Sequence, residues 1–143
     1  MKLAALTLMN SDHRVLINPE HVMVLAPAKM TAGKKGVVFQ ESVCTALYLS
    51  GKPDQPMYVQ EGAEFCAGMI GGLKSFVDLG NGSKVFVNPN QIQYVCMGGV
   101  GKSLGTVLHF HGGLQSAVCG GLQDIQLALS SSVLVLPTKS EFN

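Results

Sequence analysis

A glycine-rich segment that ends in lysine and serine is the first candidate for chemistry in this sequence. Residues 96–103 read Cys-Met-Gly-Gly-Val-Gly-Lys-Ser, and the last three match the end of a phosphate-binding P-loop. However, Cys96 stands where the first glycine belongs, and residues 105–111 alternate like a strand where a P-loop needs a helix N-terminus. We therefore interpret the segment as a hairpin loop that can contact an anion. Its candidate contacts are Gly99, Gly101, Lys102 and Ser103.

Two histidines follow this loop and could begin a metal site. His109 and His111 are two residues apart on a predicted strand, so their side chains should point the same way. A metal site needs a third and a fourth ligand, and no Asp or Cys stands at a suitable spacing. We predict no metal site, and we interpret both histidines as solvent-facing or interface residues that can contact a ligand.

Other catalytic signatures are missing from the sequence. There is no Gly-x-Ser-x-Gly motif and no Cys-x-x-Cys pair. The cysteines, at positions 44, 66, 96 and 119, each lie within an apolar segment, so we expect buried, reduced thiols in a cytoplasmic protein. We predict no catalytic residue and no cofactor, and an enzyme whose residues are distant in sequence stays open as an alternative.

The elements that must position these residues are organised as a repeat. Residues 14–22 read Arg-Val-Leu-Ile-Asn-Pro-Glu-His-Val, and residues 84–92 read Lys-Val-Phe-Val-Asn-Pro-Asn-Gln-Ile. The same order of residue types thus recurs at an offset of 70. Further along, residues 46–51 match residues 107–112 at an offset of 61, so the first copy carries an insertion near residues 27–43.

Each copy is predicted to form four strands followed by a helix, and one more strand in each copy stays open. Apolar runs separated by polar turns indicate the strands, and apolar residues at helical spacing indicate helices at 62–73 and 121–130. Three glycines weaken the first helix by about 1 kcal/mol each relative to alanine, which is typical of close approach to another backbone. The apolar face of this helix is Phe65, Cys66, Met69, Ile70 and Leu73.

The predicted fold class is α+β, mostly β. Proline biases the preceding Asn to an extended conformation, so each Asn-Pro step should fold one strand back on the next as an antiparallel pair. A unit of about 60 residues with one helix cannot bury both faces of its sheet. The two β-β-β-β-α units, residues 1–73 and 74–143, should therefore share a core in one domain. Residues 133–136 should add a C-terminal strand before a frayed tail.

Basic residues mark equivalent places in the two copies. A second glycine-lysine loop, near residues 28–36, contains Lys34 and Lys35, and Arg14 and Lys84 begin the two matching Asn-Pro strands. Two such loops at equivalent places are the argument for a shared binding face. These four residues complete the candidate ligand contacts.

Composition favours a protein that binds copies of itself. Of the 143 residues, 47% are hydrophobic and 13% are charged, whereas an average soluble domain is about one quarter charged. Since obligate interfaces resemble a core cut in half, self-association explains the deficit; a surface filled by Ser, Thr, Gln, Asn and Gly is the alternative. A net charge of +1 with a single arginine argues against a nucleic-acid partner. The apolar runs are too short to span a bilayer, so no membrane partner is expected.

The Asn-Pro element also resembles a known family. Residues 15–25 follow the pattern Val-Leu-Ile-Asn-Pro-x-x-Val-x-x-Leu, and a strand that ends in glycine and a helix come after it. This is similar to small flagellar proteins of the FlbD type and to short bacterial and phage proteins with the same element. The chain resembles two such units in tandem over most of residues 1–131. The resemblance implies the fold of the unit and an association with flagellar assembly. Of these two implications, we adopt only the fold as an expectation for this chain.

These patterns lead to one expectation and two alternatives. We expect a non-enzymatic, homo-oligomeric binding protein, of a kind found among phage accessory proteins. It should sequester a small anionic or nucleotide ligand between repeats or between subunits. The first alternative is a structural or regulatory protein–protein module of virion or flagellar type. The second is an enzyme with a site that is not recognisable from sequence.

Overall fold

The computed structural model describes residues 2–9, 11–32 and 40–130. In these ranges the fold is mostly β, with antiparallel sheets and two α-helices, so the predicted α+β class is confirmed at this level. No helix in the described ranges combines the length and the apolar character that crossing a membrane needs. The predicted C-terminal strand at 133–136 and the tail lie outside the described residues, as do Lys34 and Lys35.

The strands and the helix of residues 4–70 follow the same order as those of residues 74–130, which contain one additional 3-10 turn. The first half contains β1 (Ala4–Thr7), β2 (Arg14–Ile17), a 3-10 turn (Pro19–His21), β3 (Val22–Ala32), β4 (Gln40–Leu49), β5 (Met57–Val59) and α1 (Ala63–Ile70). The second half contains β6 (Lys74–Val77), β7 (Lys84–Val87), a 3-10 turn (Pro89–Gln91), β8 (Ile92–Val100), β9 (Ser103–Phe110), a 3-10 turn (His111–Gly113), β10 (Gln115–Val118) and α2 (Leu122–Ser130). In the described residues each half therefore has five strands, which agrees with the further strand that the sequence left open.

The strands follow one continuous order through both halves. The hydrogen-bonded sheets are β1-β2, β5-β4-β3-β7-β6 and β10-β9-β8. Single antiparallel bridges, Leu8 with Val59 and Asp78 with Val118, join the end of β1 to β5 and the end of β6 to β10. The order is thus β2-β1-β5-β4-β3-β7-β6-β10-β9-β8, with β2 at one end and β8 at the other.

The strands on either side of each Asn-Pro step do not pair with each other. The Asn18 Oδ1 accepts a hydrogen bond from the Glu20 N–H, and the Asn88 Oδ1 accepts one from the Asn90 N–H, both at 3.0 Å. Each asparagine thereby caps a short 3-10 turn, which redirects the chain before a ladder can form. The predicted fold-back is therefore wrong, since β2 pairs with β1, and β3 pairs with β4 and β7.

The halves meet where β3 pairs with β7. Val24 lies opposite Val87, and Leu25 lies opposite Phe86, in antiparallel register. Asn88, which is buried, extends this junction with two hydrogen bonds of 2.9 Å, from its Nδ2 to the Val22 carbonyl and from its backbone N–H to the Met23 carbonyl. One side chain therefore caps a turn in its own half and binds the backbone of the other half.

Two hydrophobic clusters replace the single shared core that was predicted. The first cluster contains residues of β1 to β5 and α1, together with Phe86 from the second half. The second contains residues of β6 to β10 and α2, together with Met23 and Val24 from the first half. Each half therefore has its own core. At the β3–β7 junction, a few side chains of one half pack in the core of the other.

The first helix is shorter than predicted, and its glycines have a different role. It ends at Ile70, because Gly71 and Gly72 take φ values of +78° and +75°, which favour glycine. A Cβ added at Gly68 would meet no atom within 4 Å, so the expected close approach to another backbone is wrong there. Phe65 and Met69 are exposed although both belong to the predicted apolar face, because a helix of two turns buries only a narrow stripe.

Corresponding hydrogen bonds recur in the two halves. The buried Thr45 hydroxyl donates to the Glu61 carbonyl at 2.7 Å, and the buried Thr106 hydroxyl donates to the Gly120 carbonyl at 2.9 Å. Each bond ties the middle of a long strand to the residues just before a helix. The described residues of the predicted insertion lengthen β3 and β4 beyond their counterparts β8 and β9.

Candidate functional site

The β8–β9 hairpin carries five of the ten candidate residues. Val100 pairs with Ser103, so Gly101 and Lys102 form a two-residue turn in which Gly101 has a φ of +61°. Lys102 is exposed at the tip, and β9 follows it directly. The prediction of a hairpin loop is confirmed, and the segment cannot act as a P-loop because no helix follows the glycines.

The glycines of this hairpin are explained by packing. A Cβ at Gly98 would lie 2.5 Å from Val107 Cγ2, and a Cβ at Gly99 would collide with the Ser103 carbonyl. A Cβ at Gly105 would collide with the Val118 carbonyl on β10. The glycine richness that suggested phosphate binding therefore allows three strands to approach closely.

His109 takes part in a cluster that the sequence analysis did not find. Its ring stacks on Tyr94, with 4.2 Å between centroids and an interplanar angle of 8°. Its Nε2 lies 3.3 Å from the Cys96 Sγ. Counting back along both strands from the Gly101-Lys102 turn places Tyr94 opposite His109, so hairpin register was the signal that could have revealed the cluster.

His111 does not share the strand of His109. It begins the 3-10 turn that follows β9, so the alternation of a strand no longer sets its direction, and its side chain is exposed. The described residues contain no group of three or more His, Cys, Asp or Glu side chains arranged to hold a metal ion. The two histidines therefore do not start a metal site in the part of the chain that the structure describes.

Arg14 and Lys84 begin the equivalent strands β2 and β7, and each interacts electrostatically with a glutamate. The Lys84 Nζ lies 3.3 Å from Glu64 Oε2 and 5.6 Å from the centroid of the Phe86 ring. Arg14 contributes to the low pKa of the Glu61 carboxyl. The two cations compensate local carboxylates, and the structure does not bring them to the β8–β9 hairpin.

Glu61 connects the start of α1 to β1. Its Oε1 accepts a hydrogen bond from the Thr7 N–H at 3.0 Å, and its Oε2 accepts one from the Thr7 hydroxyl at 2.9 Å. Burial by itself raises the pKa of this carboxyl, but these hydrogen bonds, a backbone bond of its own and Arg14 lower it below its ordinary value. The charged form is therefore stabilised by folding.

Replacement of Glu61 by glutamine should remove an acid-sensitive part of the stability. A carboxyl whose folded pKa is lowered contributes stability above its unfolded pKa, and this is lost as the pH falls through the folded pKa. Glu61→Gln should cost on the order of 1 kcal/mol at neutral pH, and the difference from wild type should shrink below pH 4.5, the ordinary value. Urea unfolding across the acid range measures this. Glu64→Gln, at an exposed glutamate in the first turn of α1, is the control, and equal acid dependence in both variants would contradict the assignment.

The four cysteines do not share one environment. Cys44 and Cys66 are buried, and burial raises the pKa of both thiols, so these two agree with the predicted reduced core cysteines. Cys96 is half-buried beside His109, and Cys119 is exposed, so the prediction is wrong for Cys119. Cys119 follows β10 directly, where the strand ends and its side chain leaves the core.

A cleft of about 310 Å³ lies between the two halves. The first half contributes Val24, Ala26 and Tyr48 to its wall. Asp78, Gly80, Val85 and residues 114–117 of the second half supply the rest of the wall, with Asp78 as its charged group. Burial and, to a smaller extent, Tyr58 raise the pKa of Tyr48, so its phenol remains a neutral hydrogen-bond donor. None of the described candidate residues lines this cleft, which the sequence analysis did not find because its walls come from strands far apart in the chain.

Two of the places where the described residues could hold a ligand are the Tyr94–Cys96–His109 cluster and the cleft between the halves. The cluster has hydrogen-bonding and stacking groups on an open hairpin, and the cleft has apolar walls with a phenol and a carboxylate. No family model, no curated protein and no solved structure matches this chain.

Proposed function

We propose that this chain is a non-enzymatic binding protein that works as a homo-oligomer and sequesters a small ligand between its half-units. The observation that supports this best is the cleft of about 310 Å³ between the halves. Ligand pockets begin at roughly 300 Å³, and they combine apolar walls with a few polar groups. Val24 and Val85 provide the apolar wall here, and Tyr48 and Asp78 provide a donor and an acceptor.

The ligand class that we favour is a nucleotide or another small anion with a ring. The apolar wall suits the ring, and the Asp78 carboxylate can accept hydrogen bonds from an exocyclic amine. Lys102 is the candidate cation that we propose for the anionic group; it is exposed at the tip of the β8–β9 hairpin and does not itself line the cleft. The two halves themselves are proposed to derive from one FlbD-like unit by duplication, which the recurring order of elements supports.

Filling the cleft should abolish binding without unfolding the protein. Met57 occupies the position in the first half that Ser116 occupies in the second, so the fold accommodates methionine at this place. Ser116→Met should therefore remove the rise in melting temperature that nucleotides cause in wild type. Thermal shift against a panel of nucleotides and inorganic phosphate measures this effect, and calorimetry confirms it.

Ser75→Met is the matched control, because Ser75 is exposed on β6 and does not line the cleft. It should keep the wild-type response to each ligand. A wild-type protein that shows no shift with any member of the panel would overturn the ligand proposal. A shift that survives Ser116→Met would place binding elsewhere on the chain.

A structural or regulatory protein–protein module is the second candidate. Several large apolar side chains are exposed, among them Leu104 at 75% and Met97 at 66%, both on the β8–β9 hairpin. Exposed apolar residues that cluster on one element are typical of contact surfaces. This candidate predicts that Leu104→Asp weakens binding to a macromolecular partner and leaves any response to nucleotides unchanged.

A further inference from the structure

The strand order leaves two free edges that match each other. Among the described strands, β2 pairs with β1 alone and β8 pairs with β9 alone. They are the counterparts of β7 and β3, which pair with each other at the junction between the halves. We propose that β8 of one copy pairs with β2 of a second copy as β3 pairs with β7, and that this head-to-tail contact builds the homo-oligomer. The inference rests on the homo-oligomeric part of the proposed function and specifies its interface.

The internal junction supplies the register of the proposed contact. Val24 lies opposite Val87, and the two copies of the Asn-Pro element are related by an offset of 70. Tyr94 should therefore lie opposite Ile17 of the second copy, in an antiparallel pair. The completed sheet would be β10-β9-β8-β2-β1, which has the same form as the five-stranded sheet β5-β4-β3-β7-β6.

Burial differs between the halves at the residues of this junction. Phe86 on β7 is 8% exposed, whereas its counterpart Leu16 on β2 is 65% exposed. Val24 on β3 is 4% exposed, whereas its counterpart Tyr94 on β8 is 55% exposed. The free edges thus carry apolar side chains at the positions that the internal junction buries, which is what an incomplete copy of that junction would show.

An apolar groove is present where Leu16 of the second copy would insert. In the first half Phe86 packs in the cluster that contains Ile70, and α1 contacts β7. The equivalent space of the second half is an open groove of about 560 Å³. Its wall includes Val95, Leu122, Gln126 and Leu129.

Side-chain sizes compensate for each other both in the place beside α1 that holds Phe86 and in the groove beside α2. Ala63 at the start of α1 accompanies the large Phe86, whereas Leu122 at the start of α2 would accompany the smaller Leu16. Swaps that conserve total volume are the ones that packed cores tolerate. The groove beside α2 is therefore shaped for the leucine that β2 offers.

A second groove fits the other side of the contact. It has a volume of about 570 Å³ and runs along β2, with Val15, Ile17 and Leu49 in its wall. In the second half the equivalent surface, which includes Val85, Val87 and Phe110, is covered by Met23 and Val24 of β3. Tyr94 of the neighbouring copy takes the place of Val24 in the proposed contact.

Hydrogen-bonding groups match as well. Asn88 donates its Nδ2 proton to the Val22 carbonyl across the internal junction. Its counterpart Asn18 is half-buried, and no described hydrogen bond uses its Nδ2. In the proposed contact this group donates to the Ile92 carbonyl of the neighbouring copy, which is the counterpart of Val22.

The proposed contact is heterologous, so it closes into a ring or continues as a filament. It also creates a second cleft, equivalent to the one between the halves, in which Tyr94, Cys96 and His109 replace Val24, Ala26 and Tyr48. The hydrogen-bonding cluster of the β8–β9 hairpin would thereby line a site between subunits.

Mass measurements on two edge variants test the proposal. Wild type should form an assembly of several 15.1-kDa chains by light scattering and analytical ultracentrifugation. Leu16→Asp, which blocks β2, and Tyr94→Asp, which blocks β8, should each be a single chain. Leu104→Asp is the control. Leu104 lies on β9 and is 75% exposed, against 65% for Leu16, so this variant should keep the wild-type mass. If an aspartate variant does not unfold cooperatively, Leu16→Lys or Tyr94→Lys is measured in its place.

Mixing the two blocked variants distinguishes head-to-tail pairing from other interfaces. Each variant keeps one intact edge, β8 in Leu16→Asp and β2 in Tyr94→Asp, so the mixture should form a 1:1 dimer and nothing larger. A β8–β8 contact would leave Leu16→Asp dimeric on its own, and this result would overturn the proposal. Wild-type mass in both variants would also overturn it while homo-oligomerisation stands. A wild type that is monomeric would overturn both the head-to-tail contact and homo-oligomerisation. Nucleotide binding to the cleft inside one chain is measured separately, by thermal shift.

Discussion

Truncation of Phe86 to alanine should lower the free energy of unfolding by about 3–5 kcal/mol. Phe86 belongs to β7 in the second half, but its ring packs in the hydrophobic cluster of the first half with Leu25 and Ile70. Removal of the ring loses the free energy gained by its transfer from water to the core. It also leaves a cavity that cannot close, because β7 is paired with β3 on one side and β6 on the other. Urea unfolding followed by circular dichroism measures the loss.

Phe65→Ala is the matched control for this prediction. Phe65 is 56% exposed on α1, so its truncation should change the stability by less than about 1 kcal/mol. A comparable cost for the two phenylalanines would mean that Phe86 is not part of the core. A low cost for Phe86→Ala would mean that the β3–β7 junction does not hold the halves together.

Asn88→Ala should cost about 2–4 kcal/mol, whereas Asn18→Ala should cost about 1 kcal/mol. Both variants lose the cap of a 3-10 turn, which the Oδ1 of each asparagine provides. Only Asn88→Ala also removes a buried hydrogen bond, and it leaves the Val22 carbonyl without that partner. The difference between the two variants therefore isolates the contribution of one polar contact between the halves.

The asparagine pair is best compared in the Leu16→Asp background, by denaturant unfolding of each single and double variant. In that background the proposed contact between copies is removed, so Asn18 acts only as a cap. Equal costs for both asparagines would show that the buried bond of Asn88 adds nothing to stability. A cost for Asn18→Ala that appears only when Leu16 is intact would support its role between copies.

Much of the local structure could be predicted from the sequence, because neighbouring residues determine it. The Gly101-Lys102 hairpin, the strand β1 and the approximate positions of both helices follow from turn residues and from apolar spacing. The matching Asn-Pro elements likewise predicted that the order of strands and helix recurs. One failure at this level was small: α1 ends at Ile70, whereas the sequence predicted a helix that continues to residue 73.

The candidate site was predicted less well, because its residues are brought together by strand pairing. His109 was identified, but its partners Tyr94 and Cys96 were not, since they face it from the neighbouring strand. Arg14 and Lys84 were chosen for their charge, and the structure places each beside a glutamate that the sequence separates from it by many residues. Charge alone therefore did not identify an open anion site.

The sequence by itself determined that the described part of this chain is mostly β, with a helix near residue 65, a second helix near residue 125 and a tight hairpin at Gly101-Lys102. Only the tertiary structure decided how the two halves join. The same Asn-Pro pattern stands before β3 and before β8, yet among the described strands β3 pairs with both β4 and β7, whereas β8 pairs with β9 alone. The apolar pattern of a strand specifies which of its residues can be buried. Its pairing partner, however, depends on which strand edge the fold brings within hydrogen-bonding distance. For Leu16 and Tyr94, that edge belongs, in our proposal, to another copy of the chain.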